Sequence, residues 1–498
     1  MTTTPHGLAR RSVGAGSLWL FGVSASAPMT VLAGGVVTTF AVTGVVAVPL
    51  SFLLLAGALL LFSVGFAGMA TRAPHAATFA AVLARGLGRG TGVAGAMVAL
   101  LAYNAIQISL YGLLGGTAAA LLGGPWWSWA LAAWALVAAL GVRHIHLSAR
   151  VIGAVLAVEL ALILALDIVS FTHPAEPGGP GGVLTPLSPD QLLVDGVGGV
   201  FALGVAAFVG FESITAFGEE TRNPRSVATA LATTLAFLGL LYTASSWALA
   251  VAVGPGRVAR VTRSSPDIPF TILATHLGPT VAAAGLVLLA FSIIGAMISF
   301  HSVVARYVFA LGREGILPRG YGTRIDRRAG VPLGGSTTQS GLALATIIGF
   351  ALAGTEPIGV MFTWLSTLAA IGITALMIAT SIAVIVLHRP TNHHRHRADG
   401  RPTNQAARPG PWTRVVAPAT AALALSAVLV ITVISLGSTV GEATASWLLP
   451  ATLTATAAAG ACRAAWLHHH KPDTWRRIGR GQPKPLAVLD GALAEHEL

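Results

Sequence analysis

Few side chains in this sequence have chemistry to offer, and the most unusual of them are acids set inside apolar runs. Glu159 lies about 10 residues, or roughly 15 Å of helix, into the run 149–171. Glu212 lies in a second run, within GFESITAFGEE. An acidic charge at the centre of a bilayer costs about 2.5–3.5 kcal/mol on insertion scales. Such a carboxyl faces a partner or a wet cavity, or it is held protonated. Glu159 and Glu212 are therefore candidates for carrying a coupling proton, with a structural hydrogen bond between helices as the other reading of each. Asp167, close to the end of its run, reads as solvated. Tyr103, Gln107 and Tyr111 recur every four residues, with Asn104 beside them, and so share a helix face. That stripe suits a substrate path, or equally the hydrogen-bonded contact of two helices.

The backbone offers more. GVSASAPMTVLAGG (Gly22–Gly35) and FALGVAAFVGFESITAFGEE (Phe201–Glu220) put small residues, a proline and glycines inside apolar runs. A helix broken in mid-membrane frees N–H groups for a carboxylate and C=O groups for an ammonium. Two such breaks at matching positions of two halves are the best sequence pointer to a transporter site. The alternative is close helix packing through small residues.

Other patterns carry less. His388, His393, His394 and His396, and the triplet His468–His470, form no ligand pattern that fixes a metal geometry. They read as basic loops near anionic lipid. RGLGRGTG (Arg85–Gly92) has no strand before it and no Lys-Ser/Thr after it, so it is not a phosphate loop. No metal or cofactor is expected.

The elements that must position these residues are apolar helices. The chain has 498 residues, 54% of them hydrophobic and only 10% charged; soluble domains carry about 25% charged residues. Mean hydropathy is +0.76. Runs near 20 residues match a hydrocarbon core of about 30 Å. The expected spans are 18–39, 45–70, 93–122, 126–142, 149–171, 194–217, 228–253, 280–311, 338–353, 358–387, 415–436 and 445–466. No barrel alternation is present, so the backbone must satisfy itself in helices. The third and eighth spans are long enough to tilt or to run past the membrane.

The opening run from Leu18 is too long for a signal-peptide core and has further spans behind it. With one cysteine, Cys462, no disulfide forms within the chain. The net charge of +12 lies in loops, which favours a membrane surface over nucleic acid. With the N-terminus inside, 27 of the 30 Lys and Arg fall on inner segments. Only Arg257, Arg260 and Arg263 fall outside. Both termini are thus expected in the cytoplasm of a cell-membrane protein. The Pro/Gly-rich loop 172–195 reads as irregular, and HRPTNHHRHRADGRP (from His388) as a basic linker. The tail after Trp466 reads as polar and partly disordered.

Three segments carry a resemblance: SASAPMTVLAGG, GFESITAFGEETRNPRS, and FALGREGILP with VPLGGSTTQS. Together they resemble amino acid–polyamine–organocation permeases over about residues 15–390, with the last two spans matching in number only. The resemblance implies an all-α polytopic fold of about 12 transmembrane helices, two inverted five-helix repeats plus two peripheral helices, working by alternating access. The implied divisions are an N-terminal tail (1–16), repeats at 17–171 and 194–388 around an outer loop (172–193), a basic linker (389–413), two peripheral helices (414–467) and a C-terminal tail (468–498).

The resemblance also implies a substrate α-carboxylate at Ser24, Ala25, Ser26 and Ala27, and its amino group at Phe208, Val209 and Gly210, mostly on backbone atoms. Pro28 has no N–H and disfavours helix at Ala27, which keeps the first break open. Phe208 or Phe211 is expected to close over the substrate, Tyr103 and Gln107 to border its path, and a bulkier residue at Gly210 to block binding by filling the cavity. Arginine-type relatives have a tryptophan where this chain has Ala206, which speaks against an arginine-like substrate. Relatives with a lysine in the fifth span have no counterpart here, since no span contains Lys.

The function expected is secondary transport of an amino acid or related amine, coupled to protons or run as exchange. Sodium coupling, with Ser299 and Ser302 as candidate ligands, is an alternative, as are another small organic solute, a membrane-embedded transferase and a channel. A transferase needs an acid or His cluster at an interface, and none is evident. Two broken helices in one chain argue against a channel. The topology has a direct test: Cys462 should resist impermeant thiol reagents applied outside whole cells, and a cysteine placed at Gly179 should react. The reverse pattern would overturn the orientation.

Overall fold

The computed structural model describes residues 14–72, 75–143, 149–175, 182–221, 223–318, 332–388, 410–440 and 443–479. Gly179, His393–His396 and most of the basic linker lie outside the described residues. All regular elements that are described are helical. Nine are long and apolar enough to cross a membrane, and Trp126–Gly141 and Ile268–Leu277 are shorter apolar helices. Each of the twelve expected spans coincides with a helix. The third, Arg89–Leu122, and the eighth, Pro279–Glu314, are the longest, as their long apolar runs require.

The first span is two helices. Ala15–Ala25 stops at Ser26, and helix resumes at Pro28 and runs to Thr43, through a π-helical turn at Val31–Val36. Between them Ala27 takes φ 44° and ψ 72°, the left-handed region that costs a residue with a Cβ about 1–2 kcal/mol. The sixth span is also two pieces. Val197–Phe208 ends in extended backbone at Val209, and Gly210 at φ 121° opens a 3₁₀ segment, Phe211–Glu220. The breaks stand five spans apart, as two five-helix repeats require.

The third span is the packing hub, touching the fourth, eighth, tenth and twelfth spans and the short helix Thr78–Gly86. Lipid is as apolar as leucine, so helices associate here by close van der Waals fit. Gly112 shows how close: a Cβ there would lie 2.6 Å from the Pro357 carbonyl oxygen of the tenth span. Between the seventh and eighth spans lie two helices, Val258–Ser264 and Ile268–Leu277. Arg263 Nε donates to the Ala41 carbonyl at 2.6 Å, tying this connection to the far end of the first span.

The described part of the tail is helical and docked. The twelfth span runs on to His470, and Pro472–Arg477 forms a further helix. Thr474 and Ile478 are buried against the bundle. The Gly479 N–H donates to both oxygens of Glu314, at 3.1 and 3.3 Å. Arg85 Nε donates to the Gly479 carbonyl at 2.8 Å. His75 Nδ1 accepts from the Ala77 N–H at 2.9 Å, so the ring proton sits on Nε2, which donates to Glu314 Oε1 at 2.9 Å. Polar composition hid this docking, because the apolar anchors are only Trp475 and Ile478.

Glu314 therefore joins the eighth span, the second-to-third connection and the tail. Glu314→Ala leaves His75 and Gly479 with buried, unpaired donors, which cost about 1–3 kcal/mol each. The expected outcome is a drop of several degrees in the apparent melting temperature of the purified protein. Glu314→Gln should lose less.

Candidate functional site

At the first break the chain satisfies most of its own backbone. The Ser26 N–H and hydroxyl both bond the Gly22 carbonyl, at 3.3 and 3.1 Å, and the Ala27 N–H bonds the Ser24 carbonyl at 3.1 Å. Tyr242 of the seventh span donates its hydroxyl to the Ser26 carbonyl at 3.2 Å. Pro28 starts the second half without an N–H, which fits a first helical position. The next two amides are met from other spans. Thr30 N–H reaches Ser292 Oγ of the eighth span at 3.4 Å, and the Ser292 hydroxyl donates to Glu159 Oε2 at 3.4 Å. The Met29 amide also faces the Glu159 carboxyl. A fifth-span carboxyl thus sits at the positive end of the second half-helix.

At the second break the Gly210 N–H donates to Glu212 Oε2 at 3.0 Å, and the Ser213 N–H bonds the Gly210 carbonyl at 3.0 Å. Glu212 holds the break from two residues away. Its other oxygen, Oε1, is buried on the side of the Tyr103 hydroxyl. Glu212 borders a recess of about 10 Å³ together with Tyr103, Thr215 and Tyr307. One water fills a space of that size.

The two breaks face each other. A Cβ on Gly210 would lie 3.2 Å from the Ala25 carbonyl oxygen. Beside them is a cavity of about 50 Å³. Its walls include Ala25, Ser26 and Ala27 of the first span and Val209 of the sixth. The third, eighth and tenth spans close it through Ile106, Phe300 and Phe362.

Of the residues expected at a substrate site, Ala25, Ser26, Ala27 and Val209 border this cavity, and Gly210 adjoins it. Ser24 does not line it, and its hydroxyl is buried without a partner. Phe208 packs into an aromatic group with Phe52 and Tyr242, ring centroids 6.0 and 5.4 Å away. Phe211 packs on Phe62 at 6.4 Å. Both rings are fully buried in the bundle. Tyr103 borders the Glu212 recess. Gln107 belongs to a hydrogen-bonded chain across the bundle: it donates to Tyr111 Oη at 3.1 Å and accepts from Gln339 of the ninth span. Gln339 Oε1 in turn meets His301 Nδ1 at 2.7 Å, and Ser336 meets His301 Nε2 at 2.7 Å. Asp167, expected to be solvated, is buried and accepts from Ser245 at 2.6 Å.

Ser302 bonds its own helix at Ile298. Ser292, ten residues earlier and unremarked in the sequence, is the eighth-span hydroxyl at the first break. Thr30 and Tyr242 carry no sequence signal either, because an isolated hydroxyl in an apolar run has no pattern. Among the described residues no group of His, Cys, Asp and Glu could hold a metal ion.

A side chain at Gly210 meets backbone strain before it meets the cavity, since φ 121° suits only glycine. Gly210→Ala should therefore cost about 1–3 kcal/mol of stability and abolish ligand binding together. A variant of wild-type melting temperature with intact binding would sink the assignment of the break.

Among curated proteins none matches the chain. A family model described as amino acid permease covers residues 17–458, both breaks and the cavity included. The chain belongs to the amino acid permease family and is a multi-pass membrane transporter of amino acids.

Proposed function

We propose that the protein moves its amino acid across the cytoplasmic membrane by alternating access, coupled to protons. The observation that carries this reading is the pair of opposed helix breaks on one small cavity. The carbonyl end of the 197–208 half-helix offers partial negative charge to an ammonium. The start of the 28–43 half-helix offers partial positive charge to a carboxylate. No basic side chain lies between Ser17 and Thr39, so backbone is the anion holder. In the geometry described, the Ser26 and Ala27 amides are bonded within the chain. A substrate carboxylate then replaces weak, locally strained bonds rather than bulk water.

Coupling follows from Glu159, which occupies the same helix end. While Glu159 is charged it offsets the helix dipole and repels a second carboxylate. A like charge at roughly 8 Å costs about 2 kcal/mol at an effective dielectric of about 20. A proton on Glu159 removes that cost, so proton and substrate favour each other's binding. By linkage, apparent substrate affinity rises as pH falls. Glu212 is the second proton candidate, bordering the recess beside the sixth-span break together with Tyr103. Both termini are cytoplasmic in this reading, from the Lys and Arg distribution.

Proteoliposomes test it. A proton gradient alone should drive accumulation of the substrate. Glu159→Gln should abolish accumulation while substrate exchange persists, and Glu212→Gln tests the second candidate in the same assay. Accumulation by both variants under a proton gradient, or by the wild type under a sodium gradient only, would refute proton coupling. A free amino acid should compete for binding and its methyl ester should not.

A further inference from the structure

We infer that the substrate is a zwitterion with an uncharged aliphatic side chain, and that the Thr30 hydroxyl binds its carboxylate; this rests on the transport reading above. The cavity walls decide the side chain. None of the residues bordering the cavity is titratable. Beyond Ser26, Thr30 and Ser366, the walls are aliphatic, small or aromatic. Ser26 is occupied by the Gly22 carbonyl, and Ser366 by the Ser109 hydroxyl at 3.1 Å. The two charges common to every amino acid meet the broken backbone. A third charge, on a basic, acidic or diamine substrate, meets no partner, and burying an unpaired charge is strongly unfavourable.

Thr30 supplies the specific contact. Thr30 borders the cavity, and its hydroxyl is buried with no hydrogen-bond partner. An orphaned hydroxyl in an apolar wall is costly unless a ligand takes it up. It stands in the first turn of the 28–43 half-helix, where the dipole also favours an anion. Amide and hydroxyl divide the work: the Thr30 N–H faces Ser292, and the Thr30 hydroxyl is left for the substrate.

Gly35 sets the size of the side chain. It borders the cavity, and a Cβ built on it meets nothing within 4 Å. A side chain at Gly35 thus meets open space rather than a packed neighbour, and Gly35→Val adds bulk at the border of the cavity.

The test is competition against labelled alanine, valine and leucine on the purified wild-type protein and three variants. On the wild type, arginine, glutamate and putrescine should compete at least tenfold more weakly than the best aliphatic amino acid. Thr30→Val should weaken binding at least tenfold at unchanged melting temperature, and Thr30→Ser should recover most of it. Gly35→Val should weaken leucine more than alanine. Equal competition by a charged compound overturns the substrate class and leaves amino acid transport standing. Unchanged affinity in Thr30→Val overturns the carboxylate contact. Binding of no amino acid at all would instead overturn the transport reading, and this inference with it.

Discussion

In hydrocarbon, no water relieves an unpaired peptide group, and this constraint shapes every part of the protein. An unbroken helix satisfies it alone. A broken one does so only if other elements come to the break. Here they come from four directions: Tyr242 to the Ser26 carbonyl, Ser292 to the Thr30 amide, Glu159 to the Met29 amide and Glu212 to the Gly210 amide. The fifth, seventh and eighth spans are thereby committed to positions around the first. The breaks also need each other, since a polar gap facing lipid would be untenable. Their opposition across one cavity is the consequence.

The rest of the bundle supplies a rigid wall. The third span is surrounded by five others and locked to the eighth and ninth among them by the run from Tyr111 through Gln107 and Gln339 to His301. A fully bonded polar chain tolerates little rearrangement. Motion is easier where bonds are long, such as the 3.4 Å pair through Ser292, than through this chain.

Much of this was legible in sequence, and the reason is specific. Apolar run length reports spans directly, and Pro28 and Gly210 mark breaks because each has a backbone property no other residue shares. Burial of Glu159 and Glu212 was legible from their depth. The cavity was harder to read. Phe208 and Phe211 flank the break, as a substrate cover would, yet both turn into aromatic packing with Phe52 and Phe62. Side-chain direction at a break depends on two irregular residues, Val209 and Gly210, and no period predicts it. The stripe through Gln107 has two readings in sequence, because it looks the same whether it faces a ligand or another helix. Thr30, Ser292 and the docked tail follow from tertiary contacts among residues tens to hundreds of positions apart.

Ala27 has one more consequence. Nature's usual joint is glycine, which moves through a broad continuum of backbone angles. Alanine has narrow right- and left-handed wells with little between them. At φ 44° it is held in the less favourable of the two. A joint of this kind has two stops rather than a range. The half-helices it connects would then click between orientations instead of drifting, and the strain stored at that stop would speed departure once the bonds around Ser26 let go.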